Sequence, residues 1–420
     1  MSNIKKLLEG VEVEWKTLGE ITNILRGKRL TRNLLSANDK YPVFHGGLDP
    51  LGYYYNANRP ADTVMIINVG ASAGTVGYSS VDFWSSDGTY CIEQMAKLNN
   101  KFLYYFLLGE QYYLKSRVRV AGIPTLDAFV IEKLQIPIPY PNNLKKSLEI
   151  QQEIVRILDS FSMLTAELQA ELQARKSQYE YYRNQLLAYP MEESDQSSLR
   201  SNRSATSIQN SDNSIQPLST LNPPTGNSVL QPRGKVEWKV LEEVVEIKRG
   251  KRLFKNQLEK TGKYAVYQNC MIPLGYYHKN NVIADTTFII SAGSAGEIGY
   301  SDVDFWAADD VYYFVTKNDL KSRFLYHFLI TQQQKIYSQV RRSSVPRLSK
   351  TAFEKLLIPI PSLEEQEHIV SILDKFDALT TSLTEGLPKE IELRQKQYEY
   401  YRNMLLSFPK NNIKLVWDKH

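Results

Sequence analysis

Two long stretches of the chain carry an apolar residue at every third or fourth position. The first covers residues 148–189 and the second covers residues 362–409. This spacing puts the apolar side chains on one face of a helix. Sustained over this length, it predicts the seam of a coiled coil. We therefore expect a central long helix and a C-terminal long helix.

The second of these helices carries signals for where it begins and where it is interrupted. Ser362, with Glu365 three residues later, predicts a capping box at its start. Gly386 and Pro388 fall inside the apolar pattern, and proline removes a hydrogen bond from a helix interior. We therefore predict that the second long helix is kinked or broken near these two residues.

The segments that precede the two helices have a mixed pattern. Residues 1–147 and 235–361 contain short β-rich runs, glycine-rich turns and short aromatic helices. An Ile-Pro-Ile-Pro run closes each segment and predicts extended chain, because proline is excluded from helix interiors. The predicted fold class is α+β: two repeated mixed α/β domains separated by two long helices that form an antiparallel coiled coil.

The whole arrangement is written twice. Arg-Gly-Lys-Arg-Leu stands at residues 26–30 and again at 249–253, and Gln-Tyr-Glu-Tyr-Tyr-Arg-Asn stands at 178–184 and again at 397–403. Many collinear matches lie between these motifs. Two long copies do not make a solenoid, which stacks at least three short repeats. We interpret them as a duplicated domain pair with a pseudo-two-fold relation.

One segment has no counterpart in the repeat. Residues 190–234 are rich in Ser, Asn, Gln and Pro and nearly free of aromatic residues. That composition predicts a disordered linker between the copies. Residues 410–420 follow the second helix and are assigned as a tail.

Composition and charge narrow the class of protein. Only two cysteines occur in 420 residues, which excludes a disulfide scaffold and fits a reducing cytoplasm. No run of 18 apolar residues occurs, so we expect no membrane span. Residues 1–147 hold 17 Lys and Arg against 13 Asp and Glu, and residues 235–361 hold 19 against 13. The mixed domains therefore suit phosphate contact, and the more acidic helices suit protein contact.

The repeated Arg-Gly-Lys-Arg motif clusters cations in both domains. Phosphate contacts position a protein on DNA without specifying sequence. We interpret the cations of both copies as clamps for DNA phosphates; they are Arg26, Lys28, Arg29, Arg249, Lys251 and Arg252. The alternative is a solvated basic turn.

Two related basic domains separated by long helices suggest a protein that reads two separated half-sites on one DNA duplex. Residues that read bases should then differ between the copies, because two half-sites usually differ. Gln and Asn suit adenine, His can donate to guanine acceptors, and Arg is the commonest guanine reader. The candidate base-reading residues are His45, Asn68, Arg117, Arg119, Gln268, Asn269, Ser291, Arg341, Arg342 and Arg347. The alternative, that these are unselected loop residues, stays open here.

No pattern for catalysis or metal binding emerges from the sequence. The five histidines form neither HExxH nor a Cys/His zinc spacing. The repeated glycines near Gly74 and Gly296 match no nucleotide-binding loop. Asn-Pro-Pro-Thr at 222–225 resembles an amino-methyltransferase element but lacks its aromatic residue. We predict no catalytic residue and no metal site.

The order of these motifs resembles that of the DNA-specificity subunits of type I restriction–modification systems. The resemblance is carried by the Arg-Gly-Lys-Arg-Leu motif, the glycine turns from Gly70 and Gly293, the Ile-Pro-Ile-Pro runs and the helices that end in Gln-Tyr-Glu-Tyr-Tyr-Arg-Asn. It covers nearly the whole chain except the linker. The long linker and the pair Gly386 and Pro388 depart from the usual pattern.

The resemblance implies a function for each part. Each mixed domain would be a target-recognition domain that reads one half of a bipartite site in double-stranded DNA. The helices would set the spacer between the half-sites and dock two methyltransferase subunits, and restriction motor-nuclease subunits would join them in the cytoplasm. This chain would be non-catalytic and hold no cofactor, with S-adenosylmethionine, ATP and Mg on the partner subunits.

Two tyrosines in the repeated helix ends fall off the apolar seam. Tyr181 and Tyr400 are candidates for contact with a partner helix, since tyrosine is favoured at interfaces. A place in the core at the end of the bundle is the alternative. A coiled-coil scaffold without DNA reading and a self-sufficient modification enzyme also remain open as functions, although the lack of a cofactor loop argues against the enzyme.

Overall fold

The structure is a computed structural model that describes residues 7–190, 236–382 and 385–408. The predicted linker, apart from its first residue, and the predicted tail lie outside the described residues. No helix in these described ranges is long and apolar enough to cross a membrane.

The chain divides into two compact units. Unit 1 consists of Met1–Gln169 together with Glu390–His420, and unit 2 consists of Ala170–Lys389. Each unit therefore combines one mixed domain with a part of both long helical regions.

The mixed domain of unit 1 is built from short strands and short helices. Its strands are β1 (Val13–Thr17), β2 (Ile24–Arg26), β3 (Tyr41–Phe44), β4 (Gly52–Tyr54), β5 (Thr63–Ile67), β6 (Val76–Ser79), β7 (Trp84–Ser85), β8 (Thr89–Ile92) and β9 (Gln135–Pro139). Its helices are α1 (Leu18–Ile21), α2 (Asn100–Gly109), α3 (Gln111–Ser116) and α4 (Ala128–Glu132). A four-stranded antiparallel sheet has the order β2-β8-β5-β6, a three-stranded sheet has the order β4-β3-β7, and β1 pairs with β9.

The central helix and the mixed domain of unit 2 follow. Helix α5 (Leu144–Leu186) belongs to both units, and the strands of the second domain are β10 (Glu237–Val240), β11 (Val245–Arg249), β12 (Tyr264–Tyr267), β13 (Gly275–Tyr277), β14 (Thr286–Ile290), β15 (Ile298–Ser301), β16 (Trp306–Ala307), β17 (Val311–Thr316) and β18 (Leu357–Ile360). Its helices are α6 (Leu241–Val244), α7 (Ser322–Thr331) and α8 (Gln333–Tyr337). The sheets have the orders β11-β17-β14-β15 and β13-β12-β16, and β10 pairs with β18. The repeat in sequence is therefore a repeat of fold.

The proline-rich run that closes each domain pairs with the first strand of that domain. Trp15 lies opposite Pro137 between β1 and β9, and Trp238 lies opposite Pro359 between β10 and β18. A two-stranded sheet tolerates proline because both of its strands are edges. The predicted extended runs are confirmed, and they tie the start of each domain to its end.

An interior strand of each large sheet is buried on both faces. Every residue of β5 and of β14 is buried, which explains why these runs show no alternation of polar and apolar residues. The aromatic helix α2 packs against β5 and β6, and α7 packs against β14 and β15. Phe102 of α2 and Phe324 of α7 are fully buried. The predicted aromatic helices are confirmed.

The second long helical region consists of two helices. Helix α9 (Leu363–Thr381) ends well before Pro388, and α10 (Gly386–Leu406) begins at a glycine with φ of 75°, which other residues rarely adopt. The predicted break is confirmed. Helix α5 begins and ends a few residues before its predicted bounds of 148–189.

Within unit 1, the first part of α5 packs against the last part of α10. Phe161 of α5 stacks on Tyr401 of α10 with ring centroids 5.0 Å apart. Earlier in α5, Ile154 and Leu158 share a core cluster with Leu405, which comes later in α10. The two segments therefore run antiparallel, as predicted for the coiled coil.

Within unit 2, the last part of α5 packs against α9 in the same sense. Tyr179 of α5 stacks on Phe376 of α9, and Tyr189 beyond α5 donates a hydrogen bond to Glu365 Oε1 at 3.2 Å.

The predicted capping box at the start of α9 is only half formed. Glu365 N–H donates to Ser362 Oγ at 3.2 Å, but the Glu365 carboxylate bonds Tyr189 instead of the Ser362 backbone.

A polar cluster joins α7 to both long helices within unit 2. Asp374 of α9 accepts a hydrogen bond from Arg323 Nε at 2.7 Å and lies 2.9 Å from His327 Nε2. Tyr179 Oη lies 3.3 Å from His327 Nδ1. Burial lowers the pKa of His327, and Asp374 only partly opposes this. Burial acts to raise the pKa of Asp374, but hydrogen bonds from His327 and Arg323 outweigh burial and lower that pKa.

The corresponding polar cluster of unit 1 contains no histidine. Tyr105 takes the repeat position of His327, and Asp159 takes that of Asp374. Tyr105 Oη donates to Asp159 Oδ1 at 2.5 Å, and Lys101 Nζ lies 2.7 Å from Asp159 Oδ2. The polar cluster of unit 2 therefore contains an imidazole that the cluster of unit 1 lacks.

We expect unit 2 to lose stability in weak acid, and His327→Tyr to reduce that loss. A buried histidine with a lowered pKa takes up a proton on unfolding, so the free energy of unfolding falls as the pH drops below the ordinary histidine value of 6.5. The slope is at most about 1.4 kcal/mol per pH unit for one proton. Asp374, whose pKa is lowered from 3.8, contributes only in stronger acid.

Thermal melting at about pH 7.5 and about pH 5.5 measures this difference. The Tm of the wild type should fall further between the two pH values than the Tm of His327→Tyr. The substitution installs the residue that unit 1 uses at the same place. An equal fall in both proteins would rule out His327 as the source.

Candidate nucleic-acid interface

The Arg-Gly-Lys-Arg motif of unit 1 starts at the last residue of β2 and leaves the sheet as a loop. Gly27 N–H donates to Thr89 O at 3.0 Å, and Lys28 N–H donates to Ser85 O at 2.9 Å. The indole N–H of Trp84 donates to Lys28 O at 2.8 Å. Three hydrogen bonds thus fix the backbone of this loop, while its cationic side chains are exposed.

The corresponding loop of unit 2 is held by the same three bonds. Gly250 N–H donates to Val311 O at 2.9 Å, and Lys251 N–H donates to Ala307 O at 2.9 Å. The indole N–H of Trp306 donates to Lys251 O at 2.9 Å. We refer to residues 26–29 and 249–252 as the cation loops.

All the cations of both cation loops are exposed, and within the described part of the chain none of them forms an ion pair. The first arginine of each loop bonds a backbone carbonyl: Arg26 Nε donates to Asp87 O at 3.3 Å, and Arg249 Nε donates to Asp309 O at 2.7 Å. Exposed cations without carboxylate partners suit phosphate binding. The six predicted phosphate-binding residues, Arg26, Lys28, Arg29, Arg249, Lys251 and Arg252, therefore stay candidates.

Alanine at Gly27 is expected to destabilise unit 1. A Cβ atom there would lie 2.1 Å from Ser86 O and 2.4 Å from Ser85 O, so the backbone of the cation loop would have to move. Overpacking of this kind costs about 1–3 kcal/mol. Gly47→Ala is the matched control, because a Cβ at Gly47 meets no atom within 4 Å. Urea unfolding of both variants measures the difference, and equal stabilities would contradict the close approach.

Several candidate residues of unit 1 meet at one turn, Ser86–Gly88, between β7 and β8. Gly88 N–H donates to His45 Nδ1 at 3.2 Å, and Asp87 Oδ1 lies 3.3 Å from the same nitrogen. Asn68 N–H donates to Gly88 O at 3.1 Å. Because Arg26 bonds the carbonyl of Asp87, this turn brings the cation loop together with the residues that follow β3 and β5.

The turn Ala308–Asp310 gathers the same elements in unit 2. Gln268 Nε2 donates to Asp310 Oδ2 at 3.5 Å, and Ser291 N–H donates to Asp310 O at 2.7 Å. The neighbouring Asn269 has an exposed side chain, and its carbonyl accepts from Ser294 N–H at 2.9 Å. The cation loop joins this turn through the bond from Arg249 to Asp309.

In each domain, a seven-residue loop is hydrogen-bonded to the chain that follows β5 in unit 1 and β14 in unit 2. We call it the tip loop, Arg119–Thr125 in unit 1 and Arg341–Arg347 in unit 2. Its anchors are equivalent: Gly70 N–H donates to Pro124 O at 2.9 Å, and Gly293 N–H donates to Pro346 O at 3.1 Å. The candidate arginines on or beside the tip loops are exposed; they are Arg117, Arg119, Arg341, Arg342 and Arg347.

Two candidate base-reading residues are placed differently from the prediction. Asn68 and Ser291 are buried, so their side chains do not reach a surface where a base could bind. Their carbonyls accept hydrogen bonds from Leu126 N–H and Leu348 N–H, the residues that follow the two tip loops. Both therefore anchor a tip loop in this structure, and the prediction that they contact bases is corrected.

Sequence reasoning missed the residues that organise this end of the domains. Trp84 and Trp306 hold the cation loops, and Asp87 and Asp309 bond their first arginines through backbone carbonyls. Asp-Phe-Trp stands at residues 82–84 and again at 304–306, so the repeat marked the tryptophans as shared. Nothing in this motif indicated a bond to a loop some 55 residues away in the chain.

The off-seam tyrosines are exposed. Tyr181 of α5 and Tyr400 of α10 both have exposed side chains, whereas their seam neighbours Tyr179 and Tyr398 are buried. The alternative that Tyr181 and Tyr400 are core residues is therefore wrong. Burial raises the pKa of Tyr398 to about 12, although the nearby Arg402 opposes it.

No set of three or more His, Cys, Asp or Glu in the described ranges is arranged to hold a metal ion. Cys91 is buried, and burial raises the pKa of its thiol. The cations of the cation loops, Asn269 and the tip-loop arginines are exposed, and exposed cations and amides suit binding to a polyanion.

Comparisons with known proteins identify the class. The family model for the type I restriction modification DNA specificity domain matches residues 10–175 and 234–393. The chain therefore belongs to this family and contains its domain twice.

Individual relatives agree over nearly the full length. A type I restriction enzyme specificity subunit of Escherichia coli is 32% identical, with 98% of both chains covered. A putative type I restriction enzyme specificity subunit of Haemophilus influenzae is 30% identical, with 96% of this chain and 98% of the relative covered. The crystal structure of a type I system S subunit from M. genitalium has the same fold, with a TM-score of 0.62, 20% identity, and 96% and 97% of the two chains covered.

Proposed function

We propose that this protein is the non-catalytic DNA-specificity subunit of a type I restriction–modification system. Its two mixed domains act as target-recognition domains, and each reads one half of a bipartite site in double-stranded DNA. The observation that carries the proposal is the repeated surface: both units hold an exposed cation loop beside a tip loop on the same backbone scaffold, with different side chains at the tips.

The cation loops supply affinity in this proposal, and the residues around them supply specificity. Exposed Lys and Arg side chains release counterions from DNA and fix the position of each domain on the duplex. Specificity comes from side chains that differ between the units, His45 against Gln268 and Asn269, and the two tip loops. Two different readers suit an asymmetric bipartite site.

The long helices hold the partners in this proposal. Two methyltransferase subunits dock on them, restriction motor-nuclease subunits join that complex, and the chain works in the cytoplasm. The exposed Tyr181 and Tyr400, which lie at the same place in the repeat, are the candidate contacts with the two methyltransferase subunits. S-adenosylmethionine, ATP and Mg bind the partner subunits, and this chain needs no cofactor.

The methylome of a host that carries this gene beside its methyltransferase gene tests the proposal. Single-molecule sequencing should find one bipartite motif that is methylated on both strands and that disappears when the gene for this chain is deleted. A motif that survives the deletion would refute the proposal. Binding of the assembled complex to random DNA with no preference for any bipartite site would favour a coiled-coil scaffold instead.

A further inference from the structure

The tip loops of the two units have the same backbone anchors. Arg119 and Thr125 exchange two backbone hydrogen bonds, of 2.9 and 3.0 Å, and Arg341 and Arg347 do the same at 2.9 and 3.1 Å. Each loop is also bonded to a glycine turn through its proline carbonyl, as described above. Loops held this way keep their middle residues in a fixed position. That preorganisation lowers the entropy cost of binding a ligand.

The middle of the tip loop is where the two units differ. The anchoring positions are the same in both copies: an arginine at the start, a proline near the end and a leucine just after the loop. Between them, residues 120–123 read Val-Ala-Gly-Ile in unit 1, and residues 342–345 read Arg-Ser-Ser-Val in unit 2. A scaffold kept in both copies with a changed tip is the arrangement expected of two readers with different targets.

The tip of unit 1 is apolar and unusually exposed. The side chains of Val120 and Ile123 are 80% and 71% exposed, while Val345 of unit 2 is 46% exposed. Exposure of two β-branched apolar side chains at one loop tip is unfavourable, and their burial against a partner would be favourable. They lie on the same end of the domain as the cation loop, so their partner should be a polyanion that also presents apolar groups.

The arginines of the two tip loops also differ in what they bind. In unit 1, Arg119 Nη2 bonds Asp127 Oδ1 at 2.9 Å. The repeat position of Asp127 is Ser349 in unit 2, and within the described part of the chain Arg341, Arg342 and Arg347 form no ion pair with a carboxylate. The tip loop of unit 1 therefore presents apolar side chains, and its Arg119 is paired with Asp127. The tip loop of unit 2 presents several arginines.

We propose that each tip loop enters the major groove of its half-site. In unit 1, Val120 and Ile123 contact 5-methyl groups of thymine, and in unit 2, Arg342 and Arg347 bond guanine O6 and N7. Thymine presents its methyl group only in the major groove, and arginine on guanine is the commonest specific contact there. This inference rests on the proposed function and assigns the residues that distinguish the two half-sites.

The test uses the assembled complex of the full-length chain with its methyltransferase subunits, on a duplex that carries the bipartite motif found in the methylome. Thymine is replaced by deoxyuridine at one position at a time, which removes only the methyl group. Each contacted methyl should contribute about fourfold in affinity, the effect of burying one CH₂-sized group. One half-site should be sensitive, and the double variant Val120→Ala with Ile123→Ala should lose that sensitivity.

A matched experiment addresses unit 2. Arg342→Ala with Arg347→Ala should relax the preference for guanine in the other half-site and leave the deoxyuridine sensitivity of the first unchanged. Replacement of guanine by 7-deazaguanine, which removes the N7 acceptor, should weaken binding by the wild type but not by this variant. Each pair of variants therefore serves as the control for the other.

The outcomes separate this inference from the proposed function. A complex that binds no bipartite site refutes the proposed function itself. A complex that binds its site with full affinity, whatever the base analogue or tip-loop variant, overturns only the groove assignment. Variants that bind DNA normally but no longer assemble with the methyltransferase would make the tip loops a protein contact and would equally overturn it.

Discussion

Alanine at Arg26, Lys28 and Arg29 is expected to weaken binding of the bipartite duplex on the order of 100-fold near 0.15 M salt, without a change in the preferred motif. The same result is expected for Arg249, Lys251 and Arg252. The physical reason is counterion release, because each lost phosphate contact removes about one unit from the slope of log affinity against log salt concentration. Each triple variant should therefore lower that slope by about 3.

The measurement is a salt titration of DNA binding by the assembled complex. A triple variant with the same loss of charge outside the cation loop, at the exposed Lys97, Lys133 and Lys145, is the control and should keep most of the slope. If the control variant and the cation-loop variant lowered affinity equally, general attraction by the positive domain would explain binding. The cation loop would then be the solvated basic turn of the alternative interpretation.

Specificity provides a second readout of the same variants. Phosphate contacts carry no direct sequence information, so the methylated motif should be unchanged at lower occupancy. A changed motif would mean that the cation loop reads bases. The two units can be examined separately, because each triple variant leaves the other cation loop intact.

The elements that the sequence predicted well are those decided by local pattern. The seam of α5 and the proline-rich strands follow from spacing and from the chemistry of proline, and both survive in the fold. The break before Gly386 follows for the same reason. The burial of two candidate base-reading residues could not be predicted from local pattern. Asn68 and Ser291 are buried, and their carbonyls bond residues that follow a tip loop some 55 residues later in the chain, a long-range arrangement that no local pattern reports.

The capping residue Glu365 makes the same point for the helices. Its motif predicts a bond to its own helix start, but Tyr189, just beyond α5, donates a hydrogen bond to its carboxylate instead. A long-range partner therefore replaced a local one. The cluster around Asp374 likewise joins α7 to α9 across some 50 residues, so its members could not be grouped from spacing.

Asp374→Ala is expected to destabilise unit 2 by about 2–3 kcal/mol. The substitution leaves Arg323 and the buried His327 without the acceptor that both contact. Removal of one partner from a buried ion pair costs about 3–5 kcal/mol, and partial exposure of the Asp374 side chain to water lowers that figure. Asp377, which bonds Arg323 Nη2 at 2.9 Å, retains part of the interaction.

Asp159→Ala in unit 1 is the matched comparison at the same repeat position. Its amine partner Lys101 is partly exposed and can return to water, and the buried Tyr105 hydroxyl keeps Ser162 Oγ at 3.4 Å, so we expect a smaller loss of about 1 kcal/mol. Urea unfolding of both variants beside the wild type measures the two losses. In an Asp374→Ala chain, the further change Arg323→Met should recover part of the stability, because it removes the cation left without Asp374. Equal losses at Asp159 and Asp374, with no recovery by Arg323→Met, would show that burial of the arginine does not set the strength of this polar cluster.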